Sequence, residues 1–112
     1  MLPDRVRVLH MLDATRHARS FVANRTRGDL DTALMLMLAV TRLLEIVGEA
    51  AKGVSEPTRA LAPAVPWRQI AGTRDRIAHG YFDINHDLVW TIVTEDLPAL
   101  EPQLEGLLAQ LD

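Results

Sequence analysis

The sequence predicts an all-α protein, built as a bundle of four long helices and one short helix. Apolar residues recur at intervals of three, four and seven along most of its 112 residues, the spacing that places them on one face of a helix. No segment shows the strict alternation of apolar and polar residues that indicates a β-strand. Glycine, proline and asparagine stand where helices are expected to begin or end. The length favours a single domain over residues 1–112.

The first two helices are predicted from their apolar stripes and from the glycine between them. Gly28 ends the first helix, and Asp29 or Asp31 can cap the second, which runs from about residue 32 to 52. Residues 33–40, ALMLMLAV, are apolar on every side and therefore predict a central helix with neighbours all round. The stripe of the first helix, over residues 4–26, is Val8, Met11, Leu12, Thr15, Phe21 and Val22. The later part of the second helix has the stripe Leu44, Val47, Gly48 and Ala51.

Proline, glycine and asparagine divide the second half of the chain. Gly53 ends the second helix and is followed by a short helical segment and a proline-bounded loop. The third long helix is expected over residues 67–79, with Gly80 as a left-handed cap. Asn85 is a good N-cap for the last helix. Pro98 is expected to kink or break that helix near Asp96. The stripe of the last helix is Leu88, Ile92, Leu97, Leu100, Leu104, Leu107 and Leu111.

Charge is unevenly distributed along the chain. The net charge is −3, yet residues 1–30 carry six Arg against three Asp, and residues 83–112 carry seven acidic residues and no Lys or Arg. A negative total argues against bulk binding of nucleic acid, so any such contact is expected to be local. The absence of cysteine excludes disulfides and thiolate metal sites and fits a reducing cytoplasm. No apolar run has the length of a signal-peptide core or a membrane span, so no membrane location is expected.

One short stretch, RDRIAHGY at residues 74–81, concentrates the side chains that can carry chemistry. On an ideal helix Arg74 falls on an apolar stripe between Ile70 and Ile77. A cation there either snorkels at the edge of the stripe or is held by a buried partner, because an unpaired buried charge is strongly unfavourable. Glu45 and Glu49, which share one face of the second helix, are the candidate partners.

His79 and Tyr81 each allow two interpretations. His79 lies about 140° round an ideal helix from Arg74, so one helix alone does not bring the two side chains together. Asp75 could accept a hydrogen bond from the His79 ring; alternatively, His79 is a C-terminal helix residue whose charge suits the helix dipole. Tyr81 is either half-buried with a solvated hydroxyl or a placed phenol. The remaining histidines have no metal-ligand spacing and are assigned to the surface: His10, His17 and His86.

The same stretch resembles a known family. Arg74, His79 and Tyr81 match the Arg-x4-His-x-Tyr motif of HepT-like toxins in the HEPN superfamily, and Asp75 occupies a position where that superfamily tends to have a polar residue. The resemblance extends over roughly residues 4–108. It rests on three blocks in family order: RLLEIVGEAAK at 42–52, PWRQIAGTRDRIAHGYFDI at 66–84 and LVWTIVTEDLPAL at 88–100.

This resemblance implies an all-helical domain that forms a homodimer in which the motifs of two subunits face one cleft. It implies a metal-independent endoribonuclease that cleaves RNA through attack by the ribose 2′-hydroxyl and needs no cofactor. His79 would act as general base or acid, and Arg74 would bind the scissile phosphate. Arg42, Glu45 and Glu49 would orient Arg74 or close the dimer.

The resemblance also implies a cytoplasmic toxin of a type VII-like toxin–antitoxin pair, with a minimal nucleotidyltransferase antitoxin of the MntA type as its partner. The antitoxin would transfer AMP from ATP to Tyr81, and the added phosphate would fill the cleft and repel RNA. Arg68 and Arg76, together with the N-terminal arginines, are the expected RNA-binding patch. The alternative interpretation is a non-catalytic HEPN helical module that binds nucleotide or a nucleotidyltransferase partner.

Overall fold

A computed structural model describes residues 2–80 and 83–111, and these residues form the predicted all-α fold. Three long helices are joined by short helical pieces and a π-helical turn. Within the described ranges, no helix combines the length and apolar character needed to cross a bilayer. The elements are α1 Asp4–Val22, α2 Asp29–Thr32, α3 Leu34–Gly53, α4 Glu56–Ala60, α5 Trp67–Ala71, α6 Thr73–Ile77, α7 His86–Thr91, the π-helical turn Ile92–Asp96 and α8 Leu97–Gln110.

The hydrophobic core lies between α1, α3 and α8. α1 packs along both of the other long helices, and the stripe predicted for it is buried except for Phe21. The stripe predicted for the later part of α3, from Leu44 to Ala51, is also buried. From α8 the core receives Leu97, Leu100, Leu104 and Leu107. Removal of these apolar side chains from water is the main force that holds the three helices together.

Ion pairs between α1 and α8 account for the uneven charge of the sequence. Arg19 Nη1 lies 2.7 Å from Glu101 Oε1, and Arg16 Nη2 lies 3.1 Å from Glu105 Oε2. The basic beginning of the chain therefore faces its acidic end. Arg16 and Arg19 belong to the N-terminal arginines predicted to contact RNA, and in this fold each of them contacts a carboxylate.

The turn after α1 comes earlier than predicted. α1 ends at Val22, and Asn24 follows with a positive φ of 62°, a conformation that asparagine tolerates better than most residues. Asp29 Oδ2 accepts a 2.7 Å hydrogen bond from the backbone N–H of Thr26. The Asp29 carboxylate therefore stabilises the turn before α2, and the prediction that Asp29 or Asp31 caps the second long helix is wrong.

The third long helix of the prediction is two short helices in the structure. α5 ends at Ala71 and α6 begins at Thr73, so Gly72 separates them. Thr73 Oγ1 donates a 2.6 Å hydrogen bond to the carbonyl of Ile70, so a side chain satisfies a carbonyl where the helix is interrupted. A glycine beside a hydroxyl residue is a common site of such interruptions. The expectation of one helix over residues 67–79 is therefore wrong.

The first half of α3 is not surrounded by the other helices of the chain. Leu34, Met35 and Leu38 are 69%, 86% and 61% exposed, whereas Met37 and Val40 are buried. A helix that packs on one side of a small bundle buries a single stripe. The expectation of neighbours all round is therefore wrong for one copy of the chain, and three large apolar side chains share the outer side of α3.

The last helix begins where the sequence predicts. The Asn85 side chain accepts a 3.0 Å hydrogen bond from the backbone N–H of Leu88, which confirms the predicted N-cap. Before Pro98 the backbone forms the π-helical turn and continues directly into α8. Because proline has no N–H, Pro98 cannot bond the carbonyl of Thr94, and the wider π turn absorbs this defect without breaking the helix.

Candidate functional site

Arg74 lies on α6, at the edge of the surface where α5 and α6 meet α3. Its neighbour Ile77 is fully buried, whereas the Arg74 side chain is 64% exposed and its Nε lies 3.8 Å from Glu45 Oε2. Of the two predicted possibilities, Arg74 therefore snorkels at the edge of an apolar stripe and has a carboxylate beside it. A pair this long and this exposed contributes little stability, so the guanidinium keeps donors free for another ligand.

Glu45 lies between two arginines. Its Oε1 is 3.9 Å from Arg42 Nη1, and its Oε2 faces Arg74. Glu49, the other predicted partner of Arg74, contacts Lys52 instead, with 3.7 Å between Oε1 and Nζ. The structure thus brings Arg42 and Glu45 to Arg74 and leaves Glu49 one turn further along α3.

The α3–α5 contact that places Arg74 depends on Gly48. A Cβ atom at this position would lie 3.0 Å from the carbonyl oxygen of Ile70, a tighter contact than side chains usually make, so glycine favours this close approach. Arg59 holds the other end of α5, because its guanidinium stacks over the Trp67 ring at 5.8 Å and donates to the carbonyl of Ala51 at 2.9 Å. Gly48 lies on the stripe that was predicted to be buried, but no local pattern in the sequence indicates its contact with Ile70.

His79 follows α6 in a tight loop and is not part of the helix. Ala78 has extended backbone angles and forms an antiparallel bridge with Ile84. The N–H of His79 donates a 2.7 Å hydrogen bond to the carbonyl of Asp83, and the N–H of Asn85 donates a 2.7 Å hydrogen bond to the carbonyl of Ile77. Because the backbone is extended after Ile77, the 140° separation of Arg74 and His79 expected on an ideal helix does not apply.

Two predictions around His79 need correction. Gly80 has the predicted positive φ, 126°, but it lies in the loop because α6 has already ended at Ile77. Asp75 and His79 are both exposed, and no hydrogen bond joins these two described side chains, since the extended backbone at Ala78 carries His79 away from the helical position above Asp75. The predicted role of Tyr81 falls on a residue outside the described ranges.

The other candidate residues are dispersed. Arg68 is exposed and borders an open groove with Arg59 and Trp67. Arg76 is half-buried and lines a different groove of about 270 Å³, between α3, α5–α6 and α8, whose walls also include Glu95 and Asp96. Arg74 and Arg76 point to different sides of α6, as a two-residue separation on a helix requires. Arg68 and Arg76, the two arginines predicted to bind RNA, line different grooves.

The histidines outside the motif lie at the surface, as predicted, and one of them also contacts a carboxylate. His10 and His17 are exposed. His86 is partly exposed, and its Nδ1 lies 2.7 Å from Asp31 Oδ1. Across the described residues, no group of three His, Asp or Glu side chains is arranged to hold a metal ion.

Within one copy of the chain, the site is a pair of exposed groups with open solvent on one side. Arg74 can donate a bidentate pair of hydrogen bonds to a phosphate or a carboxylate, and the His79 imidazole can accept or donate a proton. The family model described as Ribonuclease HepT-like matches residues 11–107. The chain belongs to the HepT-like ribonuclease family. The resemblance seen in the sequence is thereby confirmed.

Curated relatives named as ribonucleases align with about two thirds of this chain. "Probable ribonuclease HepT" of Thermococcus cleftensis is 42% identical over 69 residues, which are 62% of this chain and 63% of that protein. A "Putative RNase" of Caldanaerobacter subterraneus subsp. tengcongensis is 39% identical over 74 residues, 66% of each chain. The chain thus matches slightly less than two thirds of the length of each of these curated relatives. No solved structure gives a significant match.

A longer alignment is found with a relative whose name gives two functions. "Gamma-glutamylcyclotransferase and putative RNase" of Methanocaldococcus jannaschii is 30% identical over 103 residues, which are 92% of this chain and 46% of that protein. Nearly the whole HepT-like chain therefore corresponds to less than half of that relative.

We expect Gly48→Ala to destabilise the fold, because the added methyl group must push the backbone of Ile70 away from α3. Overpacking costs about 1–3 kcal/mol, and the better helix propensity of alanine offsets up to about 1 kcal/mol of it. Gly106→Ala is the matched control, since it also lies within a long helix but a Cβ there meets no atom within 4 Å. Urea denaturation should show a loss for Gly48→Ala and a small gain for Gly106→Ala. Equal stability of the two variants would contradict the close α3–α5 contact.

Proposed function

We propose that this chain is a metal-independent endoribonuclease and the toxin of a type VII-like toxin–antitoxin pair. The observation that carries the proposal is the exposure of both Arg74 and His79, which lie five residues apart in the chain, one at the edge of α6 and one in the loop that follows it. Among the residues that the structure describes, no close buried carboxylate pairs with either group, so both can meet a substrate. Membership of the HepT-like ribonuclease family supports RNA as that substrate.

The proposed reaction is transfer of a phosphodiester within the RNA strand. His79 removes the proton from a ribose 2′-hydroxyl, and the 2′-oxygen attacks the adjacent phosphorus. The bond from phosphorus to the 5′-oxygen breaks, and that oxygen receives a proton from an acid group. Arg74 binds the non-bridging oxygens and stabilises the charge that develops on them. The products are a 2′,3′-cyclic phosphate and a 5′-hydroxyl, so DNA, which lacks the 2′-hydroxyl, is not cleaved.

We propose that two copies of the chain form the complete site. Leu34, Met35 and Leu38 share the outer side of α3 with Arg42 and Glu45, because positions three, four and seven apart on a helix fall on one face. We call these five residues the α3 outer face. Its first half is an exposed apolar surface of the kind that marks protein–protein contacts, and its second half reaches Arg74 through Glu45. A two-fold dimer through this face brings two Arg74 and two His79 side chains to one interface and supplies both a base and an acid.

We expect Leu38→Lys to weaken the proposed dimer strongly, because it places a charge in the apolar half of the α3 outer face. Leu61→Lys, an equal change at another exposed leucine, should leave the dimer intact. Sedimentation velocity over a range of protein concentrations distinguishes the two. A monomeric wild-type protein, or the same dissociation constant for both variants, would overturn the dimer.

We expect RNA cleavage to persist in EDTA and to fall in both motif variants. Loss of a general acid–base group costs about 10²–10⁴ in rate, which sets the expectation for His79→Ala, and loss of a charge-stabilising donor costs about 10²–10³, which sets it for Arg74→Ala. Lys52→Ala removes one exposed positive charge to which no role in RNA binding is assigned, and it serves as the control. Equal activity in all four proteins would favour the non-catalytic alternative, and loss of activity in EDTA would exclude the metal-independent mechanism.

We expect the cognate nucleotidyltransferase to modify Tyr81. In this proposal the phenolic oxygen attacks the α-phosphorus of ATP and pyrophosphate leaves, so that AMP is attached two residues from His79. The added negative charge then competes with the RNA phosphate. Intact-mass analysis after co-expression should show AMP-sized additions that disappear in Tyr81→Phe. Additions that persist in Tyr81→Phe would place the modification on another residue.

A further inference from the structure

The loop that carries His79 is closed by backbone hydrogen bonds at its two ends. We call the described part of residues 78–85 the motif loop. The Asn85 N–H bonds the carbonyl of Ile77, and the His79 N–H bonds the carbonyl of Asp83. Ile77 is fully buried, so the beginning of the loop is fixed by the core. The end of the loop leads into the start of α7, where Ile84 packs against the core and Asn85 caps the helix.

Four polar side chains tie the start of α7 to α2 and to the turn before it. His86 Nδ1 lies 2.7 Å from Asp31 Oδ1, and Arg27 Nε lies 2.6 Å from Asp87 Oδ1. Arg27 Nη1 also lies 3.0 Å from Asp31 Oδ1, so one guanidinium joins both carboxylates. We call Arg27, Asp31, His86 and Asp87 the α2–α7 clamp. It connects positions about 55–60 residues apart in the sequence.

The electrostatics of the clamp are those of a mutually stabilised network. The hydrogen bond from His86, followed by that from Arg27, holds the pKa of Asp31 below its usual range. The hydrogen bonds to Asp87 and Asp31 raise the pKa of Arg27. Both shifts favour the charged forms that hold the clamp together.

The α2–α7 clamp is expected to contribute little to the stability of the whole fold. Exposed ion pairs contribute little to the free energy of unfolding, and α2 is a helix of only four residues. A charged network does, however, restrict the relative position of the two segments that it joins, because each pair has a narrow range of favourable geometry. The motif loop is joined to the start of α7, so the contacts that restrict the position of α7 also restrict the end of this loop.

We propose that the α2–α7 clamp is a positioning device that fixes the motif loop, and with it His79, relative to Arg74. This inference rests on the proposed function for its catalytic consequence, but the geometric claim stands by itself. Its four members are positioning residues, since they act on His79 through the backbone of the loop. α2 also leads directly into Leu34 of the α3 outer face, so the clamp joins the proposed dimer surface to the loop.

The geometric claim can be tested by amide hydrogen exchange measured by NMR, without any RNA. Asp31→Ala removes contacts to both His86 and Arg27, and we expect the amides of His79 and Asn85 to exchange about five- to tenfold faster, because local opening becomes easier. Asp31→Asn keeps an acceptor without the charge and should give a smaller increase. Asp13→Ala, at an exposed position on α1, is the matched control. Core amides such as that of Leu104 should be unchanged in all variants.

A kinetic measurement then separates the clamp from the proposed function. If the wild type cleaves RNA, Asp31→Ala should lower kcat several-fold with little change in KM, and Asp31→Asn should recover part of the loss. Unchanged loop exchange in Asp31→Ala overturns the clamp, and so does faster loop exchange with wild-type kcat in a protein that cleaves RNA. Faster loop exchange in a protein that does not cleave RNA supports the clamp and counts against the ribonuclease proposal instead.

Discussion

The contact between Gly48 and the backbone of Ile70 determines where the rest of the candidate site lies. With no side chain at Gly48, α5 rests directly against α3, and α6 follows at a fixed distance with Ile77 in the core. Arg74 is thereby held beside Glu45 at the rim of the contact. A longer side chain at position 48 would move α5 and α6 together, because interiors are packed too densely to absorb a shift locally.

The features that the sequence predicted correctly are those set by local chemistry. The stripe from Leu44 to Ala51 is buried because helix geometry alone puts its members on one side. Asn85 caps α7 because its short side chain reaches a backbone N–H in its own turn. The family resemblance also depended on local sequence, since the motif is read directly from residues 74–81.

The features that the sequence did not predict depend on which surfaces meet. Residues 33–40 are apolar all round whether a helix is covered by its own chain or by a second copy, so the exposure of Met35 could not be read from them. The break at Gly72 needed knowledge of the α3 surface against which α5 and α6 pack. The position of His79 also differs from the prediction. An ideal helix places His79 away from Arg74, whereas in the structure the helix ends at Ile77.

The pairing of α1 with α8 bears on how a chain of net charge −3 can meet a polyanion. Arg16 and Arg19 form ion pairs with Glu105 and Glu101. Arg27 forms ion pairs with Asp31 and Asp87. The sum over the chain therefore says little about the potential near the motif. Arg74 shares the partly buried carboxylate of Glu45 with Arg42, so two guanidinium groups stand beside this carboxylate. Because interactions between exposed charges are screened over about 10 Å, these nearby groups matter more for the potential at the motif than the net charge of the chain does.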